Sequence, residues 1–385
     1  MISRFLVISL IGIMLGTTSL AEGNINGKII TDFKFFPNNN VGTIGDSQSL
    51  ELNIDAYKDF GPVRGVLELI ARTDTQDSGR RILESRQAYL KTDIFDSIIF
   101  FGNRQEFWGN AESKNVVDVI NQRDAASGQG SAGKLGAPSF SIEKYMDIGD
   151  LQIWYIPFFR EQTFNDSDAH PSGQLILKPA EYGRPDGKES DDFAARFSSV
   201  VGDWDLAGSL FYGTARSPTT TVVDSGTALQ PFYPRQKSFG FEAQYTGDAT
   251  LLKWESSVGQ QANRDFTAVV AGLEYTLYGL LGNVWDLGVI AEEQYDDRPQ
   301  AAAQRFHAGG LRLTFNDTKD SSILILASQD HANEQSSFSF EASRRLNSWS
   351  SLEIGAQFFD SKKSNSAFST LDDDDTISIR LNTFF

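Results

Sequence analysis

Residues 376–385 read TISIRLNTFF and alternate between apolar and polar side chains. The apolar positions hold Ile377, Ile379, Leu381 and Phe385, with Thr383 as a mild departure. A period of two residues places these side chains on one face of an extended strand and the polar ones on the other. The segment therefore predicts a strand whose one face meets an apolar environment.

The same alternation recurs through the rest of the chain. Residues 238–246 and 351–358, for example, carry an apolar side chain at nearly every second position. Repeated short stretches of this kind indicate an all-β protein. The predicted strands lie near residues 25–36, 49–60, 63–72, 84–93, 96–104, 138–145, 151–159, 192–201, 203–213, 238–246, 251–260, 266–277, 285–295, 305–315, 321–329, 336–345, 349–359 and 376–385.

The connections between these strands fall into two classes. Every other one is short and polar, such as Gly61-Pro62 and Gly202-Asp203, whereas the others are longer, such as 105–137 and 160–191. Short turns at one edge and long loops at the other are typical of transmembrane barrels with an even strand number. We predict a closed antiparallel transmembrane β-barrel of about 18 strands (16–18) with a polar, water-filled lumen. The alternative is a soluble all-β protein such as a sandwich array or a propeller. A propeller would show a repeated blade, and no repeat is found.

Residues 1–21 predict export. Arg4 precedes an apolar run over 5–15, and small or polar residues follow up to Ala21. This order matches a secretory signal peptide cleaved after Ala21, and the run is too short to span a bilayer as a helix. The barrel is then predicted over 22–385 of the exported chain, and a transmembrane barrel of this kind is expected in an outer membrane.

Composition excludes several classes of function. The chain has 385 residues, no Cys and a formal net charge of −17. Without Cys there is no disulfide scaffold, thiol catalysis or Cys-ligated metal, and an acidic chain lacks the basic footprint that nucleic acid needs. The three histidines do not combine with a serine into a recognisable catalytic pattern. We predict no enzyme, no cofactor and no metal site.

The C-terminal stretch also carries a resemblance. An alternating segment that ends on Phe resembles the recognition signal of Gram-negative outer-membrane proteins. The resemblance implies that the barrel-assembly machinery and outer-membrane lipid are partners of the chain. The assembly signal would consist of Ile377, Ile379, Leu381 and Phe385.

Strand parity assigns polar residues to the inside of a barrel that lies in lipid. Acidic and basic side chains nearly balance there, and most of the negative charge is predicted in loops, including Asp296-Asp297. The predicted lumen wall comprises Arg64, Glu68, Arg72, Arg196, Glu242, Lys253, Glu255, Glu274, Arg312, Glu341, Glu353 and Arg380.

The long connection at 102–138 differs from the other loops. It alternates charges with Val and Ile, which is too apolar for a solvated linker, so we predict that it folds into the lumen and narrows it. The predicted constriction residues are Arg104, Glu106, Trp108, Glu112, Lys114, Asp118, Asn121, Arg123 and Asp124.

A local resemblance covers part of this loop. Residues 104–109 read RQEFWG and residues 118–124 read DVINQRD. They resemble a family of outer-membrane barrels, largely without assigned function, that carry a WG pair and a DVINPxD-like stretch after the fifth or a nearby strand. Gln122 stands where that pattern has Pro. The resemblance implies a channel-like function and no particular substrate.

These observations favour a porin that admits small hydrophilic solutes by passive diffusion, selected by size and by lumen charge. Two alternatives stay open: a structural barrel that sheathes or docks a partner protein, as in electron conduits, and an outer-membrane export channel. The solute is not identified by the sequence, and a homo-oligomer stays open.

Overall fold

A computed structural model describes residues 23–37, 45–127, 133–166, 175–302, 304–363, 371 and 375–385. The predicted signal peptide lies outside the described residues. Eighteen strands form one sheet. They are β1 (Gly23–Phe35), β2 (Ser47–Phe60), β3 (Val63–Asp74), β4 (Ile82–Ile94), β5 (Ser97–Arg104), β6 (Ala137–Met146), β7 (Gly149–Ile156), β8 (Asp192–Val201), β9 (Trp204–Thr214), β10 (Arg235–Thr246), β11 (Thr250–Gln261), β12 (Arg264–Leu277), β13 (Asp286–Asp296), β14 (Arg305–Thr314), β15 (Ser322–Asp330), β16 (Gln335–Asn347), β17 (Ser350–Ser361) and β18 (Thr376–Phe384).

The sheet closes on itself between its first and last strands. β1 pairs antiparallel with β18, from Phe35 opposite Ile377 to Lys28 opposite Phe384. The main chains of Gly27 and Phe385 then exchange two hydrogen bonds, of 2.8 and 2.9 Å. Every other neighbouring pair is also antiparallel, so the predicted closed 18-strand barrel is confirmed. No helix in the described part of the chain is long and apolar enough to cross a membrane.

The turns follow the predicted parity, except that two connections at the long-loop edge, 262–263 and 331–334, are shorter than the turn 315–321 at the short-turn edge. At the short-turn edge, β4 and β5 are joined by Phe95 and Asp96, both with positive φ, as a two-residue hairpin turn requires. At the opposite edge, the prediction of a longer loop is wrong between β11 and β12. Ala262 and Asn263 form a two-residue turn there with φ of 51° and 64°, because Asn tolerates the left-handed conformation.

The two faces of the wall differ in character. Leu210, Phe239 and Val258 lie side by side on three adjacent strands and are 59%, 49% and 43% exposed. One residue away, Ser209 and Ser257 flank Gly240 on the other face, and both serines are buried. Directly opposed residues share a face of a sheet, so the register extends this division around the barrel. We call the two sides the apolar face and the polar face.

Loops at the long-loop edge form small sheets of their own. Residues 176–177, 181–182, 219–223 and 228–233 make a four-stranded sheet, built from the connections that flank β8 and β9. Its aromatic side chains pack together, with the rings of Tyr182 and Tyr233 stacked at 5.9 Å. In the loop between β5 and β6, Gln122-Arg123 pairs with Lys134-Leu135.

Candidate functional site

The connection between β5 and β6, residues 105–136, is called the long loop. Its main chain is held by a carboxylate from a distant strand. Glu255 of β11 accepts backbone N–H bonds from Asn110 (2.6 Å), Ala111 (2.7 Å) and Val116 (2.9 Å). The side chain is completely buried. A buried carboxylate needs several hydrogen-bond donors, and the loop supplies three.

Two further carboxylates do the same on either side of Glu255. Glu242 of β10 accepts the N–H of Gly109 at 3.0 Å and also pairs with Arg196 at 2.9 Å. Glu292 of β13 accepts the N–H groups of Glu112 (2.7 Å) and Ser113 (2.8 Å). The loop backbone is therefore held by three wall strands far from it in sequence.

Charged side chains of the loop pair with the same part of the wall. Lys114 lies 2.7 Å from Asp296 at the end of β13, and Glu112 lies 2.7 Å from Arg312 on β14. Arg312 also contacts Glu274 at 2.8 Å. The polar faces of β10, β11, β13 and β14 that contact the loop are called the covered wall.

An apolar cluster adds to this attachment. Trp108, Val116 and Val117 of the loop are buried together with Trp154 and Phe211 of the barrel. The indole of Trp108 also donates to Gln152 at 3.2 Å. Burial of such side chains stabilises the loop by roughly 1.5–3 kcal/mol for each large group. The run of Val and Ile that the sequence singled out is thus a packing surface.

The stem of the long loop is closed by Asn121. Its side-chain oxygen accepts the N–H of Glu106 at 2.6 Å, and its amide donates to the carbonyls of Arg104 (2.8 Å) and Leu135 (3.1 Å). Arg104 pairs in turn with Glu106 at 2.7 Å and with Glu143. One amide side chain therefore joins both ends of the loop.

Asp118 and Asp124, predicted at the constriction, are both buried and paired. Asp118 lies 2.8 Å from Lys134 and 3.5 Å from Arg123. Burial raises the pKa of the Asp118 carboxyl, an effect that the Lys134 ammonium opposes, and burial likewise lowers the pKa of Lys134. Asp124 lies 2.8 Å from Arg72 on β3, whose guanidinium also reaches Glu51 at 3.3 Å.

The returning end of the loop thus contacts strands on the opposite flank from the covered wall. Besides the Arg72–Asp124 pair, Lys34 of β1 donates to the carbonyl of Ser127 at 3.1 Å. The loop therefore has two sets of anchors, one on β10–β14 and one on β1–β3. Strands β15–β18 lie between these two sets on one side of the closed barrel, and β4–β9, which include the strands that the loop connects, lie between them on the other side.

One register row joins the two anchors across those strands. Arg312 lies opposite Leu324, then Glu341, Gly355 and Ser378 follow in turn, and Ser378 lies opposite Lys34. Both ends of the row contact the loop, so the whole row belongs to the polar face. The polar face of β15–β18 is called the open arc. Glu341 is exposed there, whereas Glu255 on the covered wall has no exposed surface.

The predicted wall residues separate into three groups. Contacts with the long loop are made by Arg72, Glu242, Glu255, Arg312 and, at 3.9 Å, Lys253, and two others, Arg196 and Glu274, pair with these residues. Near the short-turn edge, Arg64 pairs with Asp59, and Glu68 contacts Gln87. On or beside the open arc lie Glu341, Glu353 and Arg380, the last two joined at 2.9 Å.

Sequence reasoning missed three residues that hold the loop. Asp296 was expected in a loop, but it ends β13 and pairs with Lys114, because the strand continues one residue past Tyr295. Lys134 and Gln152 were not singled out, since nothing in their local pattern indicates the distant partner. Among the described residues, no group of three or more His, Asp or Glu side chains is arranged to hold a metal ion.

Comparison with known proteins places this architecture. No family model and no curated protein matches the sequence. Among solved structures, a BenF-like porin from Pseudomonas fluorescens Pf-5 aligns with a TM-score of 0.58 and 8% identity, covering 95% of this chain and 98% of that one. Pseudomonas aeruginosa OpdQ gives 0.56 and 10%, covering 96% and 99%. Pseudomonas aeruginosa OccK5 (OpdH) gives 0.54 and 10%, covering 95% and 97%. The predicted porin-like barrel fold is confirmed.

Proposed function

We propose that this protein is an outer-membrane channel of porin type, through which small hydrophilic solutes diffuse passively. Its closed barrel exposes an apolar band suited to lipid, and the polar face then lines a water-filled lumen. One of the solved structures that share its fold is described as a BenF-like porin. Residues 1–21 would direct export, and the terminal residues Ile377 to Phe385 would be read by the barrel-assembly machinery.

The main support for this proposal is that the long loop is attached to the barrel wall at two separate places. Contacts with Glu255 and Arg312 on one flank and with Arg72 on the other support a path of the loop across the barrel rather than over its rim. A barrel of this strand number is too wide for wall side chains to fill. The loop then narrows the bore, and the space beside the open arc is the passage.

Size and charge would select the solute. The loop limits the bore sterically, while the residual field of wall charges acts on ions inside the narrow space. The covered-wall carboxylates Glu242, Glu255 and Glu292 are buried against the loop, so the accessible charge of the open arc has the larger influence. We do not assign catalysis to any residue.

Neither alternative function fits these contacts as well as passive diffusion does. A sheath around a partner protein needs an unobstructed bore, and the long loop occupies that space. An export channel for an acidic polymer needs a basic lumen, whereas the covered wall is rich in glutamate. Both therefore rank below passive diffusion. Assembly into a homo-oligomer stays a prediction.

The deciding experiment is single-channel conductance of the refolded full chain in planar bilayers. Open channels are expected in KCl. Deleting 109–119 and joining the ends with two glycines should raise conductance several-fold, because Asn121 keeps the stem closed while the obstruction is removed. Deleting residues 218–227 from the loop between β9 and β10 is the matched control and should leave conductance nearly unchanged. A barrel that inserts but never conducts would refute the proposal.

A further inference from the structure

The open arc is dominated by hydroxyl groups. Ser322 and Ser343 lie 2.9 Å apart, oxygen to oxygen, on β15 and β16, and Ser328 and Ser337 lie 2.7 Å apart on the same two strands. In each pair, one hydroxyl hydrogen forms the hydrogen bond between the two serines. One hydroxyl hydrogen and several lone pairs per pair therefore remain to meet a solute.

The register argument that placed the row from Arg312 to Lys34 on the polar face also places these serines there. Glu292, which holds the long loop, lies opposite Ala308, and Ser328 and then Ser337 continue that row. Ser339 lies two residues further along β16, on the same face. The hydroxyls thus line the side of the barrel that the loop leaves uncovered.

Charge on the open arc is sparse. Glu353 is paired with Arg380 at 2.9 Å, and Glu341 has no ion pair among the residues that the structure describes. On the covered wall, by contrast, Glu242, Glu255 and Glu292 already accept loop amides. A solute in the passage therefore meets hydroxyl groups, the Glu353–Arg380 pair and one exposed carboxylate without an ion pair, Glu341.

Apolar side chains alternate with the hydroxyls on this face. Leu326 lies opposite Ser339, and Phe359 lies opposite Ser337. A surface that offers hydroxyls beside an aliphatic chain and an aromatic ring suits molecules with the same mixture. Sugars and polyols present hydroxyls around a C–H framework, so both kinds of group find a partner.

We infer that the open arc binds and conducts uncharged polyhydroxylated solutes, small sugars and polyols, in preference to charged solutes of the same size. The inference rests on the proposed channel and names its substrate class. Hydroxyl groups exchange hydrogen bonds with the solute as it loses water, which lowers the barrier to entry. A charged solute loses more hydration, and Glu341, the one open-arc carboxylate without an ion pair among the described residues, offers a partner to cations alone.

The test compares three solutes of nearly equal size on the full chain in proteoliposomes: glucose, gluconate and glucosamine. Glucose is expected to enter fastest. The variant Ser337→Ala/Ser339→Ala/Ser343→Ala should lower glucose entry roughly two- to tenfold, the range of a hydrogen bond between neutral groups. Its bore is no narrower, so KCl conductance in planar bilayers should be unchanged.

The matched control is Ser209→Ala/Ser257→Ala, which removes two serines of the polar face that are buried on the covered side. It should leave glucose entry as in the parent. Equal entry of the three solutes, faster entry of gluconate, or an unaffected triple variant would overturn the inference while KCl conductance still supports the channel. Absence of KCl conductance would instead refute the channel itself.

Discussion

On the covered wall, Glu255 accepts three loop amides and is fully buried, whereas on the open arc Glu341 is exposed and serines pair with one another. The same strand pattern, alternating polar and apolar, underlies both regions. What differs is whether a loop covers the polar face. Carboxylates on the covered wall thus hold structure, and polar groups on the open arc are left to meet solutes.

The largest effect is expected from a buried charge on the anchored side. Arg72→Met leaves Asp124 and Glu51 buried without their cation, which should lower the free energy of unfolding by about 3–5 kcal/mol. Guanidinium titration of the folded barrel in vesicles measures this. The control is Arg64→Met, whose pair with Asp59 is solvent-exposed and should matter little. Equal losses of unfolding free energy in the two variants would mean that the buried Arg72–Asp124 pair stabilises the barrel no more than the exposed Arg64–Asp59 pair.

A lipid-facing charge comes next. Leu210→Arg places a charge on the apolar face near mid-strand and should cost about 2–4 kcal/mol. Leu326→Arg makes the same replacement on the open arc, where water solvates the guanidinium, and should be tolerated. The same titration and the heat-modifiable gel band measure both. If the two variants were equally destabilised, the assignment of faces would be wrong.

Loosening the loop is expected to have an intermediate effect. Glu255→Gln keeps one acceptor oxygen but turns an amide hydrogen toward a loop N–H, so at least one buried donor loses its partner at about 1–3 kcal/mol. The barrel should still form, while single-channel current becomes noisier and its mean rises. Glu341→Gln is the matched control and should leave the noise unchanged. A quiet Glu255→Gln channel would show that the apolar cluster alone holds the loop.

The smallest effect concerns ion preference. Glu341 is the exposed carboxylate of the open arc that has no ion pair among the described residues, so Glu341→Gln should reduce the preference for K⁺ over Cl⁻ in a salt gradient. The reversal potential should move modestly, because one charge in a hydrated passage is strongly screened. Glu353→Gln should move it less, since Arg380 already neutralises that carboxylate. A larger shift of the reversal potential from Glu353→Gln than from Glu341→Gln would show that the passage lies closer to Glu353.

The barrel could be predicted from the sequence because its strands repeat a local period of two. The alternation within each strand shows which residues lie on which face. The strand that ends on Phe385 and the seventeen others were therefore predicted without knowing which strands pair with each other. The turn at Ala262 was mispredicted because parity alone sets no loop length. The local resemblance at 104–124 stays a prediction.

The attachment of the long loop could be predicted only in outline. Its Val and Ile content indicates burial, but nothing local says that Glu255 will accept three amides from residues 139–145 positions away in sequence. Such contacts depend on the tertiary path of the chain. Asp118 and Asp124 were expected to act on permeating ions, and their burial and pairing with Lys134 and Arg72 make them part of the loop's framework.

The seam between β1 and β18 has a consequence for how the barrel forms. It joins Gly27 to Phe385, so the closing ladder has nearly the greatest contact order the chain allows, and loop-closure entropy delays it. Until it forms, the growing sheet carries two unpaired edges that can pair with other chains. The seam is also sterically tight, since a Cβ at Gly27 would overlap the ring of Phe385. Closure is therefore the slow step of folding, and the chain can aggregate until it is complete. A catalyst of folding would have its largest effect at this step.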